Sequence, residues 1–588
     1  MSILIKTVRI SGFRGLKNIE VELEQTTVLT GINNSGKTSF LKALQLALGN
    51  RLFLSQDDFY IQGNIISEKI IIDLLIISIN NNGKRVAEFH EDWEILFTIN
   101  RIRTDDLGNS FLPIRTIITF DSIKNSYKTQ QYILQSWTNA DSNWFESENG
   151  SEASFRFDEI PFFYMDAQRD ILEDIKLKSS YLGKMLAKIE YSADAIIEIE
   201  RQIKQLNDTT VSSSPVLSTI KTTLKELDTA MDSQNEGVDI TPFTKKLRDL
   251  SKGLSIYYTD QQDSFSMEYH GMGTRSWSSL LTLKSFISLL DNNAIKDNSP
   301  FFPILAIEEP EAHLHPNAQK KLYGQINSIA GQKIISTHSP YIAAAAELKQ
   351  LRSFYKKDNV YCGQFFLELL ADKESIRKIS RQVINTKGEI FFSKLLVFSE
   401  GETEEQALPI FSEHYFNKTS VEMGIDFIGV GSYKGYLPFL WFAESLNIPW
   451  LIFSDNDQNG TVKERVKSQF SKSKSTYTEN EYLLFLSDGD DFENQLLRDG
   501  FSNEIKKVIL SLKSYHNEHH ERAQKPRDEQ EVNSFTNEKL YEIITNDKTQ
   551  FAPLIAEEIV NSGKTLPPKI IELFDRIKTI LTTVREIN

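Results

Sequence analysis

Cysteine is almost absent from this chain, and so are long apolar runs and any excess of positive charge. Cys362 is the only cysteine among 588 residues, so no disulfide can form within the chain and nothing favours an oxidising compartment. The net charge is −15, so no global basic field attracts nucleic acid. Contact with a polyanion must therefore come from local patches or from metal ions.

Signals for secretion or membrane insertion are also missing. The N-terminal stretch MSILIKTVRISGF lacks the apolar core of a signal peptide. The most apolar run, IIIDLLIISI at residues 70–79, is too short to span a bilayer, contains Asp73, and predicts a buried strand. With 40% hydrophobic and 25% charged residues, the composition is that of a globular protein, which we expect to be cytoplasmic and free of membranes.

The stretch GINNSGKTSF at residues 31–40 has the spacing of a phosphate-binding loop. The residues before it predict a strand and those after it a helix, which is the context that such a loop requires. We expect backbone N–H groups to wrap a phosphate of ATP, Lys37 to reach the β- and γ-phosphates, and the Thr38 hydroxyl to bind Mg²⁺. A chance match in a glycine-containing turn is the alternative, which the flanking elements disfavour. The predicted nucleotide-binding residues of the loop are Gly31, Asn33, Asn34, Ser35, Gly36, Lys37, Thr38 and Ser39.

A phosphate loop needs a partner strand that ends in carboxylates, and FFPILAIEEPEAHLHP at residues 301–316 supplies one. Its apolar part predicts a buried parallel strand with Glu308 and Glu309 at the end. We expect Glu308 to lie near the metal, through a water because aspartate is usual there, and Glu309 to polarise the attacking water. Paired glutamates at a solvated corner are the alternative. In QKIISTHSPYI, a further short strand places His338 where it could contact the γ-phosphate.

Together these motifs resemble the ATPase head of the ABC superfamily, in the branch that includes SMC, Rad50 and RecF proteins. The opening VRISGFRGLKNIEVEL is similar to that branch too, which implies that Arg14 contacts the nucleotide. In that family a signature segment contacts ATP held by a second subunit, and residues 268–281, EYHGMGTRSWSSLL, occupy its place. The segment lacks the usual serine-glycine-glycine form, so the resemblance carries over only Gly271, Gly273 and Arg275.

An apolar stripe at three- and four-residue spacing predicts a helical insertion in the ATPase. One long helix is predicted from Ile175 to Leu206, NDTTVSSSP at residues 207–215 breaks it, and a second runs from Leu217 to Met231. We predict that the two helices are antiparallel. The stripe could pack within this hairpin or form a dimer surface, and both readings stay open.

Carboxylates recur at three predicted strand ends after residue 391. The segments are KLLVFSEGETEEQALPIF, IPWLIFSDNDQNG and LSDGDDFENQLL. The carboxyl ends of parallel strands meet at one edge of a doubly wound sheet, so we expect the acidic groups to converge there. They would repel one another unless divalent cations neutralise them, and oxygen ligands favour Mg²⁺ or Mn²⁺ over zinc. The acidic residues are Glu400, Glu404, Asp455, Asp457, Asp491 and Glu493.

A Glu-Gly strand end followed by Asp-x-Asp resembles a Toprim domain, which topoisomerases, bacterial primases and certain nucleases share. The resemblance implies a metal core of Glu400, Asp455 and Asp457, with Glu404 and Glu493 as additional ligands. An acidic rim on an ordinary Rossmann-like domain is the alternative, and three such strand ends in order disfavour it.

An ABC-type head, a short helical insertion and a Toprim domain together resemble the OLD (overcoming lysogenization defect) nucleases. That family includes Gabija-type and retron-associated phage-defence effectors. The segments DAQRD at 166–170 and DKTQFAPLIAEEI at 547–559 are also similar to it. The resemblance implies that Lys548 stabilises the pentacovalent phosphate, and Lys564 is a rival for that role.

We therefore predict an α/β protein in four segments. The ATPase occupies residues 1–165 and 240–372, a dimerisation arm 166–239, and a Toprim nuclease domain with C-terminal helices 373–588. The short polar linker at 371–390 predicts that head movement repositions the Toprim domain.

The predicted function is that of a homodimeric or larger, ATP-controlled, metal-dependent DNA endonuclease in antiphage defence. One metal ion would activate water and another would steady the leaving oxygen. The alternatives are an RNA- or tRNA-cleaving toxin and an ATP-switched DNA-binding sensor whose carboxylates are structural. A second defence protein or a retron DNA are further partners that the resemblance allows. The predicted catalytic residues are Glu309, Glu400, Asp455, Asp457 and Lys548.

Overall fold

The fold is known from a computed structural model that describes most of the chain. The described residues are 2–48, 54–63, 65–80, 82–121, 123–138, 143–147, 150–153, 155, 158–177, 179–186, 192–224, 242, 256–260, 263–357, 359–365, 373–385, 388–473, 475, 477–514 and 518–587.

Strands and helices alternate through most of the described chain. The strands are β1 (Ser2–Phe13), β2 (Leu16–Glu22), β3 (Thr26–Thr30), β4 (Ile61–Gln62), β5 (Ile65–Ile66), β6 (Lys69–Ile79), β7 (Arg103–Thr104), β8 (Ser110–Asp121), β9 (Ser126–Ile133), β10 (Ser151–Ala153), β11 (Phe162–Met165), β12 (Tyr257–Asp260), β13 (Asp263–Ser266), β14 (Ile304–Glu308), β15 (Gln332–Ser336), β16 (Leu351–Lys356), β17 (Val360–Gln364), β18 (Leu395–Ser399), β19 (Ile425–Gly429), β20 (Trp450–Ser454) and β21 (Leu483–Phe485).

The helices are α1 (Lys37–Ala47), α2 (Glu91–Phe97), α3 (Ile171–Lys176), α4 (Tyr181–Leu186), α5 (Ala193–Ser213), α6 (Pro215–Leu224), α7 (Met272–Lys296), α8 (Pro316–Asn327), α9 (Pro340–Ala345), α10 (Lys373–Asn385), α11 (Glu402–Phe416), α12 (Ser420–Met423), α13 (Tyr436–Leu446), α14 (Thr461–Ser473), α15 (Glu479–Tyr482), α16 (Phe492–Arg498), α17 (Ser502–Ser511), α18 (Glu518–Asn533), α19 (Asn537–Asn546), α20 (Lys548–Asn561) and α21 (Pro568–Ile587). None of the described helices is long and apolar enough to cross a membrane.

The N-terminal half begins with an antiparallel sheet in the order β10-β9-β8-β6-β1-β2, with β7 paired to β8. Strand β6 contains the predicted apolar run, and the acid that interrupts it is fully buried. Asp73 fits there because Arg115 on β8 pairs with it, Nη2 to Oδ2 at 2.7 Å. A buried carboxylate is tolerated when it is paired and hydrogen-bonded in this way.

The phosphate loop belongs to a second sheet, in the order β11-β14-β15-β3-β16-β17. Its first five strands are parallel, and only β17 runs antiparallel to its neighbour. The loop follows β3, Glu308 ends β14, and His338 follows β15. Because these strands are parallel neighbours, the three features lie along one edge of the sheet, as the sequence predicts.

The first part of the helical insertion is not the single helix that the sequence predicts between Ile175 and Leu206. The structure divides it into α3, α4 and α5. Leu177 is extended and ends α3, and the hydroxyl of Ser180 then accepts the N–H of Gly183 to begin α4. The periodic stripe therefore covers two six-residue helices and one of 21 residues, because spacing alone does not show where a hydroxyl caps the chain.

The break predicted at residues 207–215 was also wrong, since α5 continues through most of it. The hydroxyls of Thr209 and Thr210 donate to carbonyls one turn earlier, so these residues remain helical. Only Ser214 separates α5 from α6. The rest of the second predicted helix, up to Met231, lies outside the described residues.

The C-terminal domain is built on a parallel sheet in the order β19-β18-β20-β21. Helices cover its faces, and the C-terminal helices share a hydrophobic core with α11 and with one face of the sheet. Strands β18 and β20 are neighbours, so the carboxylates that follow them emerge side by side.

The head and the C-terminal domain are packed together, which corrects the prediction of a mobile polar linker. Much of that linker is helix α10, and one continuous hydrophobic core includes residues of both domains. Phe442 on α13 packs against Phe365 of the head and against Phe391, with ring centroids 6.2 and 5.7 Å away. A methyl group on Gly363 would lie only 2.5 Å from the Ser445 carbonyl oxygen. The linker itself contributes Ile379 and Ile390 to this core, two apolar residues that its otherwise polar composition conceals.

Candidate nucleotide and carboxylate sites

The phosphate loop has the backbone that its glycines permit. Gly31 has φ +134° and Gly36 has φ +98°, and a methyl group on Gly31 would lie 2.2 Å from the Phe354 carbonyl oxygen. Lys37 is buried, and its Nζ donates to the carbonyls of Gly31 and Ile32 at 2.8 and 2.9 Å. Burial lowers the pKa of Lys37 to about 8, although three glutamates oppose this.

The other loop residues predicted to bind nucleotide differ in the solvent exposure of their side chains. Ser35 is buried, whereas the side chains of Asn33, Asn34 and Thr38 are exposed, and Ser39 is half-buried. Helix α1 begins without a side-chain cap, so its first N–H groups are available to an anion.

The two predicted glutamates differ in burial. Glu308 is buried, and its Oε1 has no hydrogen-bond partner. Glu309 has φ +41° and a half-exposed carboxylate, and its N–H donates to the Ser336 carbonyl at 2.9 Å. A buried carboxylate oxygen without a donor is chemically suited to a cation, so Glu308 fits the metal-side role and Glu309 is accessible to water.

A third glutamate, which the sequence reasoning missed, fixes the histidine loop. Oε1 of Glu311 accepts hydrogen bonds from the Thr337 hydroxyl and from the N–H groups of His338 and Ser339, at 2.8, 2.7 and 3.0 Å. The imidazole Nε2 of His338 lies 3.8 Å from a carboxylate oxygen of Glu309. Burial, and then the charge of Lys37, lowers the pKa of His338. The only sequence signal for Glu311 is its position two residues after Glu309.

Further side chains approach Glu308 from α1 and β11. The ammonium of Lys42 lies 3.6 Å from the ring centroid of Tyr164, and burial followed by the charge of Glu308 raises the pKa of that tyrosine. Arg14, predicted to contact nucleotide, has φ +47° and pairs with Asp58, Nε to Oδ1 at 2.8 Å. Its charge acts on both Lys42 and Tyr164, so it lies on the same side of the site.

The proposed signature segment begins helix α7. Gly271 is its N-cap, and Gly273 and Arg275 lie in its first turn. A methyl group on Gly273 would lie 2.4 Å from the carbonyl oxygen of His313. The segment therefore packs against the loop that follows Glu309 in its own chain, a contact that the sequence does not predict.

The six predicted carboxylates of the C-terminal domain lie within electrostatic reach of one another. Burial, and then Glu404 and Glu400, raises the pKa of Asp455 well above its usual range. Burial raises the pKa of Glu404 to about 7, and the nearby charge of Glu493 adds to this. The pKa values of Glu400, Asp457 and Glu493 are also raised, with burial as the largest cause. Such repulsion is relieved by a proton or by a bound cation.

Asn456 holds two of these carboxylates in place. It is buried between Asp455 and Asp457, and its amide donates to the Leu486 carbonyl and to Asp488, at 3.2 and 2.6 Å. These bonds fasten the turn after β20 to the turn after β21. Sequence reasoning treated Asn456 as a spacer.

Two of the six carboxylates already have protein donors on both oxygens. Asp491 accepts the Asn494 N–H and the Tyr541 hydroxyl, at 2.9 and 2.7 Å. Glu493 accepts the Thr403 hydroxyl at 3.3 Å and the ammonium of Lys548 at 2.9 Å.

Glu400 differs, because its buried Oε2 has no partner. In the part of the chain that the structure describes, no three His, Cys, Asp or Glu side chains are grouped so that they could hold a metal ion as they stand. The donor chemistry suits a divalent ion, with Glu400, Asp455 and Asp457 as the residues that would hold it, but side-chain rotation must bring them together.

Of the two rival lysines, only Lys548 meets this cluster. Its Nζ lies 2.9 Å from Glu493 and 3.7 Å from Asp491, and these acids raise its pKa although burial opposes them. Lys564 pairs instead with Glu504 at 2.8 Å.

Comparison with known proteins agrees with both halves of this arrangement. Residues 4–343, more than half of the chain, match the family described as "AAA ATPase domain". The chain belongs to this family. Residues 391–457 match a second family, described as "Overcoming lysogenization defect protein-like, TOPRIM domain", and the match ends at Asp457.

Curated relatives match most of this chain at low identity. An OLD nuclease of Thermus scotoductus (strain ATCC 700910 / SA-01) is 22% identical over 77% of this chain and 82% of its own length. Endonuclease GajA of Bacillus cereus (strain HuB5-5) is 20% identical over 93% and 92% of the two chains. The resemblance to the OLD family is therefore confirmed, and the chain is an enzyme with an ATPase domain and a TOPRIM nuclease domain.

Solved structures match more weakly. The C-terminal region of the Xanthomonas campestris pv. campestris OLD protein is 21% identical, covering 34% of this chain and 99% of that one, with a TM-score of 0.27. The SMC head bound to the C-terminal winged-helix domain of ScpA is 14% identical, covering 63% and 99%, with a TM-score of 0.36. The fold assignment rests on the sheets and the family matches, since superpositions of this quality add nothing to it. The two domain types imply the use of a nucleotide and a divalent metal ion.

Proposed function

We propose that this protein is an ATP-regulated, divalent-metal-dependent DNA endonuclease that acts in antiphage defence. The observation that carries the proposal is the cluster of carboxylates that follow neighbouring strands at the edge of the TOPRIM sheet, in the same packed unit as a phosphate loop. The nuclease names of the OLD and GajA relatives support this activity, and they match along most of this chain.

In the head, the proposal gives each side chain a role. Lys37, whose Nζ now donates to the loop carbonyls, would bind the β- and γ-phosphates, and Thr38 and Glu308 would hold the magnesium ion that neutralises phosphate charge. Glu309 accepts a proton from the attacking water, and its half-exposed carboxylate suits that role. His338, held by Glu311, contacts the γ-phosphate.

In the TOPRIM domain, Glu400, Asp455 and Asp457 would hold the divalent ions, and bound ions supply an activated water and stabilise the leaving oxygen. Lys548 is half-exposed and lies beside Glu493, so it can neutralise charge that develops on the scissile phosphate. Tyr541 and Thr403 orient Asp491 and Glu493.

ATP is proposed to regulate cleavage, because phosphodiester hydrolysis is downhill and needs no coupled energy source. A head that engages or separates according to its γ-phosphate provides two states. The junction between the domains is a packed core, so the TOPRIM domain must move together with its own head. We place the switch in the arrangement of two subunits.

A homodimer is the assembly that supplies two subunits. Along the predicted apolar stripe, helices α5 and α6 carry large side chains that are substantially exposed in the single chain, namely Ile196, Leu206 and Ile220. Burial of such a surface between subunits would stabilise a dimer. The first turn of α7 would then contact ATP held by the partner.

The proposal is tested by incubating purified protein with plasmid DNA and, separately, with tRNA, with Mg²⁺ or Mn²⁺ and with or without ATP. We expect plasmid DNA to be cleaved in the reactions that contain a metal ion, and EDTA to prevent this cleavage. The Asp455→Asn variant should not cleave DNA but should hydrolyse ATP at the normal rate. Cleavage of tRNA alone would replace DNA by RNA as the substrate. Undiminished cleavage by Asp455→Asn, or no cleavage of either substrate, would overturn the nuclease site.

A further inference from the structure

Arg169 is buried against the turn that carries Glu309. Its side chain is 7% exposed, and its guanidinium donates to the carbonyl of Glu308 at 3.1 Å and to that of Pro310 at 2.7 Å. These two residues flank Glu309, whose positive φ is unusual for a residue with a side chain. Arg169 therefore holds the backbone on both sides of a strained position.

The charge of this guanidinium persists at neutral pH. Burial lowers the pKa of Arg169 to about 10, and the nearby carboxylates of Glu311, Asp166 and Glu309 oppose that shift. Removing this cation from water costs free energy, and its hydrogen bonds to carbonyls offset part of that cost. The carbonyl positions are therefore tied to the guanidinium.

The next residue, Asp170, makes a contact in a different direction. Oδ1 of Asp170 accepts the Leu172 N–H, which caps α3, and it also accepts Nε of Arg275 at 2.9 Å. The guanidinium of Arg275 contacts the second oxygen of Asp170 as well. Arg275 lies in the first turn of α7, so adjacent residues bind the Glu309 turn and the start of α7.

A second pair one turn further along makes this connection stiffer. The hydroxyl of Ser279 donates to the carboxylate of Asp174. Because both pairs advance by four residues on each helix, α3 and α7 run side by side in the same direction there. In addition, Gly273 packs against the His313 carbonyl oxygen, so the start of α7 cannot approach this loop further.

We propose that Arg169 and Asp170 couple the first turn of α7 to the position of Glu309. Arg169 is a positioning residue for Glu309, and the Asp170–Arg275 ion pair transmits displacement of α7 to it. A displacement of the start of α7 therefore changes the position of Glu309, and with it the rate of ATP hydrolysis. The inference rests on the proposed role of Glu309 as the residue that polarises water.

The test measures kcat and KM for ATP hydrolysis by the full chain, together with the affinity for a fluorescent ATP analogue. Arg169→Met is expected to lower kcat at least tenfold with affinity changed less than twofold, and Arg169→Lys to recover part of the rate. Asp170→Asn keeps a helix cap but loses the charge, and it should lower kcat about threefold or more. Arg275→Gln should do the same, and the double variant should be no slower than the slower single variant.

Arg85→Gln is the matched control, because Arg85 forms a partly exposed ion pair with Asp105 outside the proposed sites and should leave kcat unchanged. If Arg169→Met fails to fold, Asp170→Asn and Arg275→Gln decide the outcome. The coupling would be overturned if the losses of kcat caused by Asp170→Asn and Arg275→Gln multiplied in the double variant. It would also be overturned if kcat were unchanged in these variants, or if the affinity for the ATP analogue fell as much as kcat.

Glu309→Gln is measured in parallel, so that failure of the coupling can be told apart from failure of the proposed function. It should bind ATP but hydrolyse it slowly. Wild-type hydrolysis by Glu309→Gln would reject the role of Glu309, whatever the Asp170 and Arg275 variants show.

Discussion

Lys548 and Lys564 each approach a buried glutamate, but the two glutamates lie in different parts of the TOPRIM domain. Lys548 contacts Glu493, which belongs to the carboxylate cluster, whereas Lys564 contacts Glu504 on α17. Lys548, beside the carboxylate cluster, can act on a phosphate bound there. Lys564 cannot, because it pairs with Glu504 outside the cluster. The two lysines therefore form a matched pair for mutation.

Lys548→Gln is expected to reduce plasmid cleavage at least a hundredfold, while Lys564→Gln stays within twofold of wild type. Initial cleavage rates with saturating Mg²⁺ provide the measurement. Melting temperatures of both variants serve as the control, because each substitution leaves a buried glutamate without its ion pair. Equal losses of cleavage would show that Lys548 has no special place in the reaction.

Lys333 is a buried cation that has no evident function. It is 4% exposed, and its ammonium donates to the carbonyls of Ile329 and Gly331 at 3.1 and 3.0 Å. Burial lowers its pKa to about 8 from its usual 10.5. The folded state therefore binds this proton less tightly than the unfolded state, so protonation of Lys333 costs stability below pH 8.

Lys333→Met should stabilise the protein by about 1 kcal/mol at pH 7, since removing the desolvation cost outweighs two lost hydrogen bonds. As pH rises from 8 towards 10.5, wild-type Lys333 becomes neutral in the folded state and the advantage of methionine should disappear. Denaturant unfolding at pH 7 and pH 10 measures this difference. An advantage that is constant across this range would contradict the pKa argument.

At the scale of elements, the inserted helices matter because they leave apolar side chains exposed to solvent. Ile196 and Leu206 belong to the apolar stripe of α5 and are 37% and 50% exposed, whereas Ile197 lies off that stripe and is 67% exposed. The two readings of the stripe, packing within the insertion or pairing between subunits, predict different effects of charge at these positions.

Combining Ile196→Glu with Leu206→Glu is expected to convert the nucleotide-free dimer to monomer at micromolar concentration, because glutamate is costly to bury but compatible with a helix. Ile197→Glu should remain dimeric. Light scattering coupled to size exclusion gives the masses. A wild-type monomer with and without ATP would reject the dimer, and a dimeric double variant would place the interface elsewhere.

The whole molecule is organised around one packed junction. A cleft of about 1280 Å³ is lined by the phosphate loop and His338 on one side and by Ile571 and Arg576 of α21 on the other. The core beneath it is continuous from the head into the TOPRIM domain. Under the proposed regulation, a change at the nucleotide would reach the nuclease through movement of whole subunits.

Glu309→Gln should bind ATP and hydrolyse it slowly, so it should remain in the ATP-bound state of the head. Lys37→Ala should fail to bind ATP, so it should remain in the ATP-free state. Their DNA cleavage rates at millimolar ATP are expected to move in opposite directions from wild type. Nucleotide binding by each variant is the control. Wild-type cleavage by both, with and without ATP, would show that the head does not switch this nuclease.

The features that depend on local order follow from the sequence alone. The phosphate loop, the glutamates after β14 and the carboxylates after β18 and β20 each lie within a few residues of the strand that positions them. Alternation and glycine spacing therefore predicted both α/β halves and most of the candidate residues, and the motifs themselves carried the resemblance to the OLD family.

The contacts between distant segments depend on how the elements pack in three dimensions. Arg169 reaches Glu308 across 139 positions of sequence, and Lys548 reaches Glu493 across 55. The shared core around Phe442 also joins segments that are far apart in sequence. It corrects the prediction, drawn from a short polar linker, that the head moves relative to the TOPRIM domain. Local periodicity reports which face of an element is apolar, but which partner covers that face depends on how all the elements pack together.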